Sequence, residues 1–223
     1  MKENDRSGRR AQIEAAAFEL LQELGYRKTS MLLIAKRAQA SNQTLYAWYR
    51  NKQELFRSII EDNGRAVREQ LQLALREDAG DDALQALADL GPTLLRFTTD
   101  AHAIMMNRAA VIDAAETGVL AQAIDEVARD GIFPLIGALM ARLVQAGVFA
   151  ADVVPEEAAQ TYVALLFGEA QLRQALGTLP PCDEADIRRR SARAFELTCR
   201  LYAIPAAAAG AGVARGPEGR QPS

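Results

Sequence analysis

The stretch Gly25-Tyr26-Arg27-Lys28-Thr29-Ser30-Met31-Leu32-Leu33-Ile34-Ala35-Lys36-Arg37-Ala38-Gln39-Ala40-Ser41-Asn42-Gln43-Thr44-Leu45-Tyr46-Ala47-Trp48-Tyr49 decides how this chain folds. It opens on a glycine, which accepts the left-handed conformation that ends a helix. Thr29-Ser30 then offers an N-cap for a short helix over 31–38. Gln39-Ala40-Ser41 breaks that helix, and Ser41 is the natural N-cap of a second short helix ending near residue 49. Two short helices across a tight turn, braced by a longer helix before them, make a helix-turn-helix. Its second helix enters the major groove of DNA by its N-terminal end. That end carries Asn42, Gln43 and Thr44. Asn and Gln amides pair with adenine N6 and N7, and threonine adds a hydroxyl and a methyl. Leu45 and Tyr49, four apart, are expected to point inward, with Tyr46 and Trp48 outward.

The flanks fit that reading. Over residues 8–24, Ile13, Ala17, Leu20, Leu21 and Leu24 recur on one helical face. Asn51 caps a further helix, with Glu54 three residues on. That helix is expected over 52–75, a span of about 36 Å, long enough to tie the head mechanically to the rest. Beyond it the chain is rich in Ala, Leu, Glu, Gln and Arg, and five helices are expected near 82–98, 101–115, 119–145, 155–177 and 183–203. Gly91-Pro92, and Gly131 with Pro134, are expected to bend or break two of them. The fold class is therefore all-α: a three-helix head over 1–56, a helical body over 57–204, and a disordered Ala/Gly/Pro tail over 205–223.

Charge is divided the same way. The 223 residues carry a net charge of −3, yet residues 1–65 hold 12 Lys+Arg against 8 Asp+Glu, and the rest hold 14 against 21. A basic head on an acidic body points to a polyanion met by the head alone. Much other chemistry drops out. One histidine, His102, and two cysteines, Cys182 and Cys199, argue against His-ligated metal sites, disulfide scaffolds and Cys-rich zinc modules. There is no Gly-x-Ser-x-Gly elbow and no phosphate-cradling glycine loop. No enzyme activity, cofactor or metal is expected. No run approaches the roughly 20 apolar residues of a membrane helix, the N-terminus shows no secretory signal, and a cytoplasmic location is expected.

Gly25-Tyr26-Arg27-Lys28-Thr29-Ser30, Ile34-Ala35, Ala38, Ser41, Thr44-Leu45-Tyr46, Tyr49, Lys52 and Leu55-Phe56 together resemble the DNA-binding domain of the TetR (tetracycline-repressor-like) family. The resemblance covers about residues 9–56. It implies a homodimeric transcription regulator, usually a repressor, that binds a palindromic operator in double-stranded DNA and is released by a small-molecule effector. The DNA-binding set it implies is Lys28, Thr29, Ser41, Asn42, Gln43, Thr44, Tyr46, Trp48 and Lys52. Thr29, Tyr46 and Lys52 fall on phosphate, Lys28 beside them, and the groove-facing set is Asn42, Gln43, Thr44 and Trp48. Gln39 departs from the glycine common at that turn, a left-handed position that costs a non-glycine residue ~1–2 kcal/mol.

The resemblance also implies an effector pocket and a dimer interface in the body. For the pocket, Phe97, Met105, Met106, Arg108 and Glu116 combine adaptable apolar surface with polar groups. The alternative is plain core for the methionines and an ion pair of Arg108 with Asp113 or Glu116. For the interface, the last two helices offer Tyr162, Leu166, Ala170, Phe195, Thr198 and Tyr202, with internal core as the alternative for their apolar stripes. A DNA-binding regulator without a small-molecule effector is the rival reading, and a filled body is the feature that would mark it.

Overall fold

The computed structural model describes residues 2–74 and 83–204. Their elements are α1 (Lys2–Leu24), α2 (Met31–Arg37), α3 (Asn42–Trp48), α4 (Lys52–Ala74), α5 (Ala83–Thr98), α6 (Ala101–Ala114) and α7 (Val119–Glu126). A π-helical segment (Val127–Ile132) follows, then α8 (Phe133–Gln145), α9 (Pro155–Phe167), α10 (Ala170–Ala175) and α11 (Glu184–Tyr202). Among the described residues the only β-type pairing is an isolated bridge between Phe149 and Ala203. The expected tail over 205–223 lies outside the described residues, as do residues 75–82.

Side-chain caps fix five helix starts. Ser30 accepts from the Leu33 amide, Ser41 from Thr44, Asn51 from Glu54, Asp100 from Ala103 and Asp183 from Asp186. Gly25, at φ +75°, ends α1 where the sequence asks for a left-handed residue.

Two apolar cores result. In the head, Ile13, Ala17, Leu20 and Leu21 of α1 pack with Ile34, Leu45 and Phe56, while Leu24, expected on the same face, is exposed. This core does not stop at the head, because Met106, Ala109 and Ala110 of α6 and Leu120 and Ala123 of α7 join it. The second core lies between α5, α8, α9 and α11, around Leu87, Leu95, Leu139, Leu143 and Leu166.

The expected breaks fall differently. α5 runs unbroken through Gly91-Pro92. Gly91 serves close packing: a Cβ there would sit 2.8 Å from the Tyr162 hydroxyl and 3.0 Å from Ser191 Cβ. Tyr162 donates across this contact to the Leu87 carbonyl at 3.3 Å. The 119–145 helix is interrupted, by the π segment holding Gly131, and Pro134 opens α8, where its missing N–H has no intrahelical partner to lose. The 155–177 segment divides at Gly168.

Candidate nucleic-acid interface and body cavity

α3 has seven residues, and Leu45 is the one it buries fully. Tyr49, just past its C-terminus, is buried beside it. These two hold the helix down, so its first turn stands clear of the head: Ser41, Asn42 and Gln43 are exposed, as is Tyr46, at 55% of its surface. Thr44 is half-covered, its hydroxyl 2.7 Å from the Ser41 hydroxyl. Lys28 is also exposed. Asn42 and Gln43 therefore present free amides at a helix N-terminus, where the backbone dipole also favours a phosphate nearby.

Three of the sequence-based assignments need correction. Thr29 is 2% exposed and donates its hydroxyl to the Gly25 carbonyl at 2.9 Å, so it closes the α1–α2 turn and cannot offer that hydroxyl to a phosphate. The neighbouring hydroxyl, Ser30, is the exposed cap of α2. Trp48 is half-buried and packs against the head core, not outward into solvent. Lys52 donates from Nζ to the Tyr26 carbonyl at 2.8 Å and lies 3.9 Å from the centre of the Tyr26 ring. Burial holds its ammonium below the usual lysine range. Lys52 thus clamps α4 to the end of α1.

The turn before α3 carries strain. Gln39 has φ +51°, the one non-glycine residue with positive φ among those described. Its carbonyl accepts a hydrogen bond from the Arg9 guanidinium of α1, and Ala40 tucks against the core. Gln39→Gly is expected to stabilise the fold by about 0.5–1 kcal/mol. The left-handed cost of ~1–2 kcal/mol disappears, partly offset by glycine's larger unfolded-state entropy. Urea unfolding would show the gain, and operator affinity should not change.

Tyr26 also joins the head to the body. Its hydroxyl donates at 2.9 Å to Asp113 of α6, a carboxylate with no exposed surface. Asp113 further accepts from the Thr117 hydroxyl at 2.8 Å and the Leu120 amide at 3.1 Å, which ties the α6–α7 corner. Burial first, and this hydrogen bond second, push the Tyr26 phenol well above the usual tyrosine range. Arg27 pairs with Glu116 at 3.2 Å on the surface above. None of this junction is marked by local sequence pattern.

In the body a cavity of about 480 Å³ opens between α1, α4, α5, α6, the π segment, α8 and α9. Phe97 and Met106 line it, as expected. Met105 and Arg108 do not: they border a separate groove with Gln22, Leu179 and Pro180. Arg108 donates to the Gln174 and Ala175 carbonyls at 2.7 and 3.0 Å, closing the end of α10, so neither the pocket role nor the alternative pair with Asp113 or Glu116 is what it does. Glu116 belongs to the head–body junction. Sequence reading missed Phe18, Ile60, Val127, Phe133 and Phe167, which complete the walls, and His102, which lines the cavity with its ring against Phe18 at 4.4 Å.

The expected dimer residues are corrected too. Tyr162, Leu166, Ala170 and Thr198 are fully buried in the chain's own core, and Thr198 donates its hydroxyl to the Ala194 carbonyl. Phe195 and Tyr202 pack against the same core, Tyr202 donating to Thr161 of α9 at 3.0 Å. Exposed instead are Leu172 of α10, Leu176 at its C-terminal cap and Leu201 of α11.

Comparison with known proteins places this geometry. Residues 13–59 match the family model for bacterial regulatory proteins of the tetR family. Residues 85–204 match that for the C-terminal domain of AefR-like transcriptional repressors. Among curated proteins, none matches the chain. Among solved structures, the chain is similar to the flavonoid-responsive regulator FrrA, with 26% identity, 90% of this chain and 100% of that one covered, and a TM-score of 0.64. It is also similar to a TetR-family regulator from Mesorhizobium loti, at 21% identity, with 89% and 98% covered and a TM-score of 0.73. The regulator FadR from Bacillus subtilis, solved with stearoyl-CoA, shares 19% identity over 85% and 97% of the chains at a TM-score of 0.67.

Proposed function

The chain belongs to the TetR family of DNA-binding transcriptional regulators, and from that premise we propose that it is a repressor that reads a palindromic operator as a homodimer and releases it when a small molecule fills the body cavity. The observation that carries the reading is the exposed first turn of α3, with Asn42 and Gln43 held outward by the buried Leu45 and Tyr49. In this reading Gln43 and Asn42 meet base edges. Thr44 faces the groove beside them, Lys28, Ser41 and Tyr46 lie on or near phosphate, and Lys52 acts on DNA through its grip on Tyr26. The head over 1–56 and the body over 57–204 meet within α4.

Two-fold symmetry suits the task, because a single seven-residue helix reads too few bases to specify a site, and two helices read half-sites about one DNA turn apart. The exposed Leu172, Leu176 and Leu201, with the small exposed Ala164 and Ala192, are the residues available to a second copy on the last helices. Release works through α4. Its Ile60, Gly64 and Val67 line the cavity, and its first residue, Lys52, holds the head. A ligand that prefers one position of α4 biases the spacing of the two reading helices, and only that difference in affinity can drive release. The cavity favours this reading over a regulator without an effector, for which a filled body would be the sign.

Selection of random duplex DNA by the purified protein tests the proposal. A palindrome with two equal half-sites is expected, and no enrichment at moderate salt would sink it. On the selected site, Gln43→Ala is expected to relax preference at one position per half-site by ~1–3 kcal/mol, with the salt dependence of binding unchanged. Competition between operator variants measures this, and an unaltered preference would move base reading elsewhere.

A further inference from the structure

The walls of the body cavity are unequal in chemistry. Four phenylalanine rings face it, Phe18, Phe97, Phe133 and Phe167, together with the thioether of Met106. None of its described lining residues is lysine or arginine, and the one formally charged group is the carboxylate of Asp100, engaged at Oδ1 as the cap of α6. Asn107 and Gln171 also line it, each half-buried, and their side-chain amides make no hydrogen bond to another described residue. Aromatic faces and a sulfur favour flat rings. Free amides supply donors and acceptors to hydroxyl or carbonyl groups. An anion entering here loses its hydration, meets neither lysine nor arginine to replace it and faces a carboxylate.

We propose that the cavity selects uncharged, flat aromatic molecules of two or three rings and rejects carboxylate, sulfonate and phosphate ligands such as fatty acids and acyl-coenzyme A thioesters. This rests on the reading of the cavity as the effector site. The volume of about 480 Å³ lies within the range of drug-sized pockets.

A matched pair of fluorescent probes tests it on the full chain. N-phenyl-1-naphthylamine is neutral, and 8-anilino-1-naphthalenesulfonate has the same skeleton with one sulfonate. The neutral probe should bind saturably, at least about tenfold more tightly than the anion, given the cost of burying an unpaired charge. Ala103 lines the cavity, and Ala103→Phe, which fills it, should weaken the neutral probe by a similar factor while helix content and thermal unfolding are kept. Gln171→Arg, a change at a half-buried position, should narrow or invert the preference by supplying the missing cation. Equal or tighter binding of the sulfonate to the unaltered protein, weakened by Ala103→Phe, overturns the ligand class but leaves the cavity as an effector site. If neither probe binds, or if Ala103→Phe changes neither, both the ligand class and the effector reading fall.

Discussion

Asp113→Ala is expected to cost the fold about 3 kcal/mol, by far the largest effect of any single change at the head–body junction. The carboxylate is fully buried and takes hydrogen bonds from the Tyr26 hydroxyl, the Thr117 hydroxyl and the Leu120 amide. Alanine leaves those donors without their acceptor, at ~1–3 kcal/mol for each that water cannot reach. The cost is tempered because the buried charge itself is no longer desolvated. Glu116→Ala, three residues on, removes only the exposed pair with Arg27 and is expected to cost below about 1 kcal/mol. Urea unfolding of the two variants side by side measures the contrast, and similar values would mean that Asp113 does not hold the junction. Operator affinity should fall in Asp113→Ala, since the position of the head then depends on Lys52, the exposed Arg27–Glu116 pair and apolar packing.

The same hydrogen bond gives a pH signature. Burial raises the phenol of Tyr162, and burial with the Asp113 hydrogen bond raises that of Tyr26, so the fold favours both neutral forms. A raised folded-state pKa contributes stability that is complete below the unfolded value, about 10. That stability is lost as pH climbs from there through the folded value. Resistance to urea should therefore hold from pH 8 to about 10 and decline above it. A flat profile to pH 11 would show that these phenols ionise as easily in the fold as outside it.

Local chemistry in the sequence reached far into this structure, and it stopped where tertiary packing took over. The caps at Ser30, Ser41 and Asn51 need only a side-chain oxygen at a helix start. The inward pair Leu45 and Tyr49 needs only a spacing of four. Gln39 stands where the family resemblance, not local chemistry, implies a left-handed residue, and its φ is +51°. Thr29 and Ser30 are adjacent hydroxyls, and only the fold decides that the first is buried and the second exposed. Met105 and Met106, a residue apart, face different hollows because successive helical side chains diverge by about 100°. The stripe through Tyr162, Leu166 and Thr198 was real, but an apolar stripe does not say whether its partner is the same chain or another. The Tyr26–Asp113 bond spans 87 residues, and no periodicity announces such a pair. The cavity likewise draws its walls from many helices.

Leu45→Ala is the other change from which a large effect is expected, about 3 kcal/mol of stability within the 2–5 typical of a fully buried leucine. The reason lies in the size of α3. A seven-residue helix has no stability of its own in water, so its position is set by what it buries. Within the helix that is Leu45, fully enclosed against the head core, with Tyr49 alongside. Truncation removes the anchor under the very turn that carries Asn42 and Gln43. Operator preference should then collapse at every position of the half-site, whereas Gln43→Ala alters one. Part of the sequence-independent, salt-sensitive binding should survive, because the basic residues of the head remain. Leu45→Met conserves volume and is expected to cost less than about 1.5 kcal/mol with operator preference intact. Urea unfolding and operator binding at fixed salt, measured on both variants, separate anchoring from mere side-chain identity. If Leu45→Ala keeps full operator preference, α3 is held by contacts other than its buried leucine, and the placement of the reading residues must be redrawn.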